Sequence, residues 1–242
     1  MKLPKTYSES TWERGGKIKA HKKHVGKPMI SWSQVETWFS KRGFNTGKLG
    51  QHEYFLKYFF GESFPDKGWG EFGNQTEDYI CEKKGSDNFS EAEKAVLDGI
   101  KPLGVFQREI VIDFGEFVLL GYIDDMSKPV KKVVDTVRDY KTKSESSKKD
   151  LHKPDKLQLP LYVGGLQQEG ITVKRAEYVV IERLGGKECM MGGGREALSI
   201  GERVWVEEFH FTDDMIEEAF SKVRTAAKEI SEHYEVFLEV NV

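Results

Sequence analysis

Apolar residues in this chain come in short runs, and that limits what the chain can fold into. The longest runs, such as residues 117–123, span about seven residues, whereas a helix that crosses a membrane needs about 18 or more. Short apolar runs bounded by turn residues are typical of β-strands. The amino terminus, MKLPK, is followed by polar residues and has no apolar segment of the kind found in secretion signals. We therefore expect an intracellular, cytoplasmic protein without a membrane partner.

The order of helical and strand patterns predicts an α/β fold. Ser33 and Glu36 match a capping box that would start the first helix, and Ser90 is the expected N-cap of another. Further helices are predicted over 51–60, 71–83, 155–168 and 212–234. Strands are predicted over 106–112, 117–124, 132–141, 176–184 and 204–211. This order favours a single domain with a mixed central β-sheet flanked by helices.

Charge is distributed unevenly along the chain. The formal net charge is only −3, but residues 14–27 contain six Lys or Arg and no acid, and residues 128–156 contain ten Lys or Arg against five acids. Basic segments beside a more acidic remainder suit a polyanionic ligand, although a solvated tail and a solvated loop would have the same composition. We predict a flexible basic arm over 1–28 and a folded domain over 29–242.

Three charged residues at the ends of two predicted strands point to chemistry. Residues two apart on a strand share a face, so Asp139 and Lys141 project together. Asp124 ends the preceding strand, and pairing of the two strands would bring both carboxylates to one point beside the lysine. Two such carboxylates repel unless a cation neutralises them, which suits Mg²⁺ or Mn²⁺. Two carboxylates, a divalent cation and a lysine can together catalyse phosphodiester hydrolysis. The alternative is that Asp139 and Lys141 form an ordinary ion pair on one face of the strand.

Three ordered motifs then give a family resemblance. They are GYID at 121–124, DYKT at 139–142 and QLPLY at 158–162. Together they resemble the RecB-like branch of the PD-(D/E)XK nuclease superfamily. SWSQV at 31–35 is similar to that family's first core helix, and GNQTE at 73–77 resembles the helix that carries a metal-binding His or Glu.

The resemblance implies a restriction-endonuclease-like core and assigns roles to the motif residues. Asp124 and Asp139 would bind Mg²⁺ or Mn²⁺, with the backbone carbonyl of Tyr140 as a third ligand. Lys141 would orient the attacking water. Glu77 is a candidate further ligand, or else a solvated acid on a helix. With only two cysteines in the chain, no iron–sulfur cluster is expected.

The third motif adds two polar side chains to the implied catalytic set. Gln158 and Tyr162 are four residues apart on a helix and so share a face, from which they would reach the lysine or a DNA phosphate. Pro160 lies between them and is awkward inside a helix. The helix is therefore expected to begin near residue 156 or 157, or to be kinked.

Under this resemblance the chain would be a metal-dependent DNA nuclease that leaves 5′-phosphate and 3′-hydroxyl ends. An exonuclease of the phage type, acting in recombination or end processing in the cytoplasm of an infected host, is the first expectation. It would contact the DNA backbone without reading sequence, and would act as a homo-oligomer or with a single-strand-annealing or replication partner. The alternatives are a structure-selective endonuclease of the same fold and a nucleic-acid-binding protein that has lost catalysis.

Overall fold

A mixed seven-stranded sheet organises the chain. The computed structural model describes residues 1–8, 22–65, 67–152 and 156–240. The strands are β1 Lys5–Thr6, β2 Pro28–Ser31, β3 Gly104–Asp113, β4 Val118–Ser127, β5 Val133–Lys143, β6 Thr172–Leu184 and β7 Ser199–Phe209. The helices are α1 Trp32–Phe39, α2 Gly50–Tyr54, α3 Trp69–Glu82, α4 Glu91–Asp98, α5 Gln158–Gln168, α6 Gly186–Glu188 and α7 Asp213–Val240. A π-helical turn, Phe55–Phe59, continues α2.

The strand order is β1-β2-β4-β5-β6-β7, and β3 pairs with β4. β3 is antiparallel to β4 along almost the whole of β4 and so occupies one of its edges. The other edge is shared by two strands. β2 runs parallel to the first part of β4, and this pairing ends at Ser31–Leu120. β5 runs antiparallel to the last part of β4, where Asp125 pairs with Arg138. β4 is therefore the strand from which the sheet forks.

Helices cover both faces of this sheet. The apolar faces of α1, α5 and α7 form one continuous core with the sheet, and α3 and α4 form a second core on the opposite face. The prediction of a single α/β domain with a mixed, helix-flanked sheet is confirmed. Among the described helices, none combines the length and apolar character needed to cross a bilayer.

The N-cap of the first helix lies two residues before the predicted one. Ser31, not Ser33, is the N-cap of α1: its hydroxyl accepts from the Gln34 N–H, and the Gln34 side chain accepts from the Ser31 N–H at 2.8 Å. The prediction placed the capping box on Ser33 and Glu36 and was wrong. The capping-box pattern fits Ser33 with Glu36 and also Ser31 with Gln34. The extended backbone of β2 ends at Ser31, and this makes Ser31 the N-cap.

The helix that carries the third motif begins late enough to accommodate its proline. α5 starts at Gln158, with Leu157 as N-cap. Pro160 is therefore in the first turn, where a backbone N–H has no partner within the helix and its loss costs little. The prediction of a start near residue 156 or 157 agrees with this to within a residue.

Both described ends of the predicted flexible arm pack on the sheet. Lys5–Thr6 pairs with β2, Leu3 and Tyr7 are buried, and the Tyr7 hydroxyl donates to Glu109 at 2.6 Å. These contacts hold residues 3–7 against the sheet, while the division into an arm over 1–28 and a domain over 29–242 stays a prediction. Residues 9–21 lie outside the described residues.

Candidate metal centre

The fork in the sheet leaves a short stretch of β4 without a strand on one edge. β2 pairs up to Leu120 and β5 begins to pair at Asp125, so the backbone of residues 121–124 faces an opening there. Gly121, Tyr122 and Asp124 line the cleft, whose volume is about 680 Å³. The first motif therefore lies where two strands separate.

Two adjacent aspartates on β4 point in opposite directions. Asp124 is half-buried in the cleft, where its Oδ2 accepts from the Tyr140 N–H at 2.9 Å. Asp125 is fully buried on the other face. There it accepts from the Leu103 N–H at 2.7 Å and the Tyr140 hydroxyl at 2.9 Å. Asp125 therefore anchors a loop, while Asp124 is available to the cleft.

Asp139 and Lys141 project from β5 on the face predicted for them. Lys141 Nζ lies 2.5 Å from Asp139 Oδ2. Asp139 is 2% exposed, and the Lys141 ammonium lies directly against its carboxylate. The Lys141 side chain is 31% exposed. The amine is therefore not walled off inside the core.

The electrostatics of the three groups follow from burial and crowding. Burial, then the Glu77 and Asp139 carboxylates, raise the pKa of Asp124 well above its ordinary value. Burial also raises the pKa of Asp139, although Lys141 opposes the shift. Burial alone would lower the pKa of Lys141, but Asp139 and Asp124 outweigh it and raise that pKa. The single positive charge of Lys141 therefore neutralises only part of the negative charge of the nearby carboxylates.

Glu77 lies near the carboxylates and is held by a residue that sequence reasoning missed. Gln107 Nε2 donates to Glu77 Oε2 at 3.1 Å. In the β3–β4 ladder Phe106 pairs with Asp125 and Arg108 with Ile123, so Gln107 is opposite Asp124. Its φ of +47° is rare for a residue other than glycine, and such strain is found where a site demands it. The register of the predicted hairpin could have identified this position.

The backbone carbonyl of Tyr140 faces the same edge as its N–H. In an extended strand the N–H and C=O of one residue point to the same neighbour, and the Tyr140 N–H donates to Asp124. The carbonyl therefore points toward the fork, as its expected role as a ligand requires. That role remains a prediction.

Gln158 and Tyr162 reach the cleft from α5, and their shared face is as predicted. Gln158 Nε2 donates to the Tyr162 hydroxyl at 3.3 Å, and both side chains line the cleft. The Tyr162 ring packs directly on Gly121, where an added Cβ would lie 2.6 Å from Tyr162 Cε1. The glycine of the first motif is therefore needed to admit the tyrosine of the third.

Two more residues approach the carboxylates without having been predicted. Tyr178 on β6 is paired with Asp139; burial, then the Asp139 charge, raise the pKa of its hydroxyl. Glu36 lines the cleft and raises the pKa of Asp139 through its charge, and it forms an ion pair with Lys156 at 3.4 Å. The sequence pattern assigned Glu36 to a capping box and Tyr178 to no motif, so only the fold reveals that they approach the carboxylates.

The donor set suits a hard divalent cation held by two carboxylates. In the described part of the chain, no group of three or more His, Cys, Asp or Glu side chains is arranged to hold a metal ion. Mg²⁺ needs only one or two carboxylates because it keeps several waters. Asp139, buried beside Lys141, and Asp124, half-buried in the cleft, are the two carboxylates that would serve. Glu77 is turned toward Gln107 instead.

Comparison with known proteins supports the fold. No family model matches the chain, and no curated protein matches it. A crystal structure of a protein from Eubacterium rectale, described as a "putative exonuclease", aligns with a TM-score of 0.51 at 12% sequence identity. The alignment covers 86% of this chain and 82% of that chain. At this identity the likeness shows a shared fold across most of both chains.

The two adjacent aspartates of β4 should differ in their effect on stability. We expect Asp125→Asn to lower the free energy of unfolding by about 1–3 kcal/mol, because the amide group that replaces one carboxylate oxygen cannot accept from the buried donors which that oxygen serves. Asp124→Asn should raise it in metal-free protein. Because the folded pKa of Asp124 lies above its unfolded value, ionisation destabilises the fold as pH rises, so this gain should grow as the pH is raised above about 4, the ordinary pKa of aspartate. Urea unfolding in EDTA measures the free energy of unfolding of both variants. An equal loss of stability in the two would contradict the assignment of Asp124 to the cleft and of Asp125 to the buried face.

Gly121→Ala should destabilise the protein by about 1–3 kcal/mol, because its Cβ would overlap a Tyr162 ring that is buried and cannot move aside. Gly73→Ala is the matched control. Its Cβ would meet only Thr142 Oγ1, at 3.9 Å, and alanine inside α3 should stabilise the helix by about 0.5–1 kcal/mol. Thermal or urea unfolding compares them. Wild-type stability in Gly121→Ala would show that the close approach is not required.

Proposed function

We propose that this protein is a Mg²⁺- or Mn²⁺-dependent deoxyribonuclease of the RecB-like PD-(D/E)XK type. The observation that carries the proposal is the cluster of Asp124 and Asp139 beside Lys141: the Asp139 carboxylate is 2% exposed and ion-paired with Lys141, and burial raises the pKa of both aspartates. Leaving a charge in this state costs free energy. Such a cost is typical of a site whose ligand completes the charge balance.

The motif order and the fold support the same assignment. The three motifs occupy β4, β5 and α5; Asp124, Gln158 and Tyr162 line the cleft, and the charges of Asp139 and Lys141 act on Asp124 from β5. The shared fold with the Eubacterium rectale protein agrees with a nuclease. That likeness concerns architecture, so the chemistry is argued from the side chains.

Each residue of the site has a role in this proposal. Asp124, Asp139 and the Tyr140 carbonyl would hold the cation, which would supply Lewis acidity at the phosphate oxygens. The Lys141 amine would orient the attacking water and balance charge that develops on the phosphate. The hydroxyl of Tyr162, aligned by Gln158, would contact a phosphate oxygen near the scissile bond. Attack on phosphorus would then leave a 5′-phosphate and a 3′-hydroxyl.

Further cations lie close to the site and suit a nucleic-acid backbone. Lys143 shares the Asp139 face of β5, and burial together with Lys141 and Lys156 lowers its pKa. Mutual repulsion among these lysines would be relieved by phosphates. We propose DNA as the polyanion and exonuclease action in recombination or end processing, with a homo-oligomer or a DNA-replication partner to keep the enzyme on its substrate.

Cleavage of labelled DNA tests the proposed activity. We expect end-labelled linear DNA to be degraded in Mg²⁺ or Mn²⁺ and left intact in EDTA. Covalently closed circular DNA should survive, since an exonuclease needs an end. Cutting of the circle would replace the exonuclease proposal with a structure-selective endonuclease. Binding without cleavage under every metal condition would refute catalysis.

In the same assay, Asp139→Ala and Lys141→Ala should each lower the cleavage rate by about 100-fold or more. Both should retain the fold and much of the affinity for DNA in gel-shift measurements, because neither residue belongs to the apolar core. Lys101→Ala is the control, because Lys101 is exposed beside a cavity on the opposite face of the sheet. Wild-type turnover in both site variants would overturn the assignment.

Mn²⁺ should stabilise the folded protein. At a free concentration of 100 times Kd, a bound ion adds about 2.7 kcal/mol to the free energy of unfolding, which a thermal melt detects without any substrate. The gain should disappear in Asp124→Asn/Asp139→Asn. It should persist in Asp135→Asn, which removes an exposed carboxylate of β5 that is paired with Arg175. A gain in Tm that survives the double substitution would place the metal elsewhere.

A further inference from the structure

A second opening, here called the aromatic–lysine groove, adjoins the candidate metal centre. Its volume is about 640 Å³. Its described lining consists mainly of lysines and aromatic rings: Lys5, Lys57, Lys67, Phe44, Tyr58, Phe64 and Trp69, with Glu62 as the acidic member. No motif of the nuclease resemblance lies in it.

The groove and the cleft are neighbours in two ways. Lys5 lines both openings. The first turn of α3 lines the groove with Trp69 and Gly70, and the next turns line the cleft with Asn74 and Glu77. At a rise of 1.5 Å per residue, Trp69 and Glu77 are about 12 Å apart along the helix axis. A chain of a few nucleotides can therefore occupy both openings at once.

The lysines of the groove are set over aromatic faces. Lys67 Nζ lies 4.7 Å from the centroid of the Phe44 ring and donates to the Phe44 carbonyl at 3.2 Å. Lys5 and Lys57 lie 5.3 Å and 5.4 Å from the centroid of Tyr58. Three lysines against Glu62 give the described lining a net positive charge, which complements a chain of phosphates.

Among the rings of the groove, Phe44 is exposed and Trp69 is half-buried. Phe44 is 60% exposed, so its ring is within reach of a nucleic-acid base. The Trp69 ring is held by the Arg183 guanidinium, 3.7 Å from its centroid. Fixed or exposed rings beside cations are the features with which proteins bind single strands, because every base has a face that can stack.

We propose that the aromatic–lysine groove binds a single-stranded segment of DNA next to the phosphodiester in the cleft; this rests on the proposed nuclease function. Bases in a duplex are already stacked on one another, so they cannot stack on Phe44 or Trp69. The lysines contact phosphates and read no sequence. The groove thus selects an unpaired strand as the substrate.

Binding and cleavage are measured separately to test this. Fluorescence anisotropy in EDTA gives the affinity for a short labelled oligothymidylate and for a duplex of equal length. Phe44→Ala/Lys57→Gln should weaken single-strand binding about 10-fold or more. The slope of log K against log salt should fall by about 0.7 for the lost lysine. Phe60→Ala/Lys101→Gln, which replaces an equally exposed phenylalanine and a lysine outside the groove, should bind as the wild type does.

Hydrolysis of bis(p-nitrophenyl) phosphate with Mn²⁺ then reports on the metal centre alone, and the groove variant should match the wild type there. Unchanged oligothymidylate affinity in the groove variant, or a larger loss for duplex than for single strands, would overturn the inference even if the wild type cleaves DNA. A wild type that cleaves neither substrate while the groove variant still loses single-strand affinity would refute the nuclease proposal and leave the binding site standing.

Discussion

Asp124 and Asp139 lie on neighbouring strands at the point where β4 and β5 stop pairing, and both carboxylates are largely withdrawn from water. Repulsion between like charges strengthens as the surroundings become less polar. Lys141 offsets part of it, and the Tyr140 N–H holds one oxygen of Asp124. The remaining negative charge lowers the free energy of unfolding, and the apolar packing on both faces of the sheet offsets this loss. A cation and a phosphate would relieve it.

One strand serves both the core and the site because its side chains alternate. On β4, Ile123 and Asp125 are buried, and Tyr122 and Asp124 open onto the cleft. Asp125 satisfies backbone N–H groups of the loop before β3. The stability of the sheet and the exposure of Asp124 therefore depend on neighbouring residues of one strand. The same strand also sets the register that brings Gln107 opposite Asp124.

Local patterns predicted a large part of this structure. Alternation with a period of two placed Asp139 and Lys141 on one face, and helical spacing paired Gln158 with Tyr162; the structure has both arrangements. Elements whose formation depends on residues distant in sequence were not predicted. β1 and β2 are too short to show periodicity, and β2 exists because it pairs with β4 far along the chain. The choice of Ser31 over Ser33 as N-cap depends on that pairing as well.

The sequence by itself determined the alternation of helices and strands, the faces on which the acidic and basic groups project, and the late start of α5 forced by Pro160. These follow from the geometry of single elements, which a few adjacent residues specify. Only the tertiary structure decided that β2 and β5 share an edge of β4, that Gln107 adopts a left-handed conformation beside Glu77, and that a groove of lysines and aromatic rings continues the cleft. Those features arise where segments distant in sequence meet, and their positions depend on packing among all of them at once.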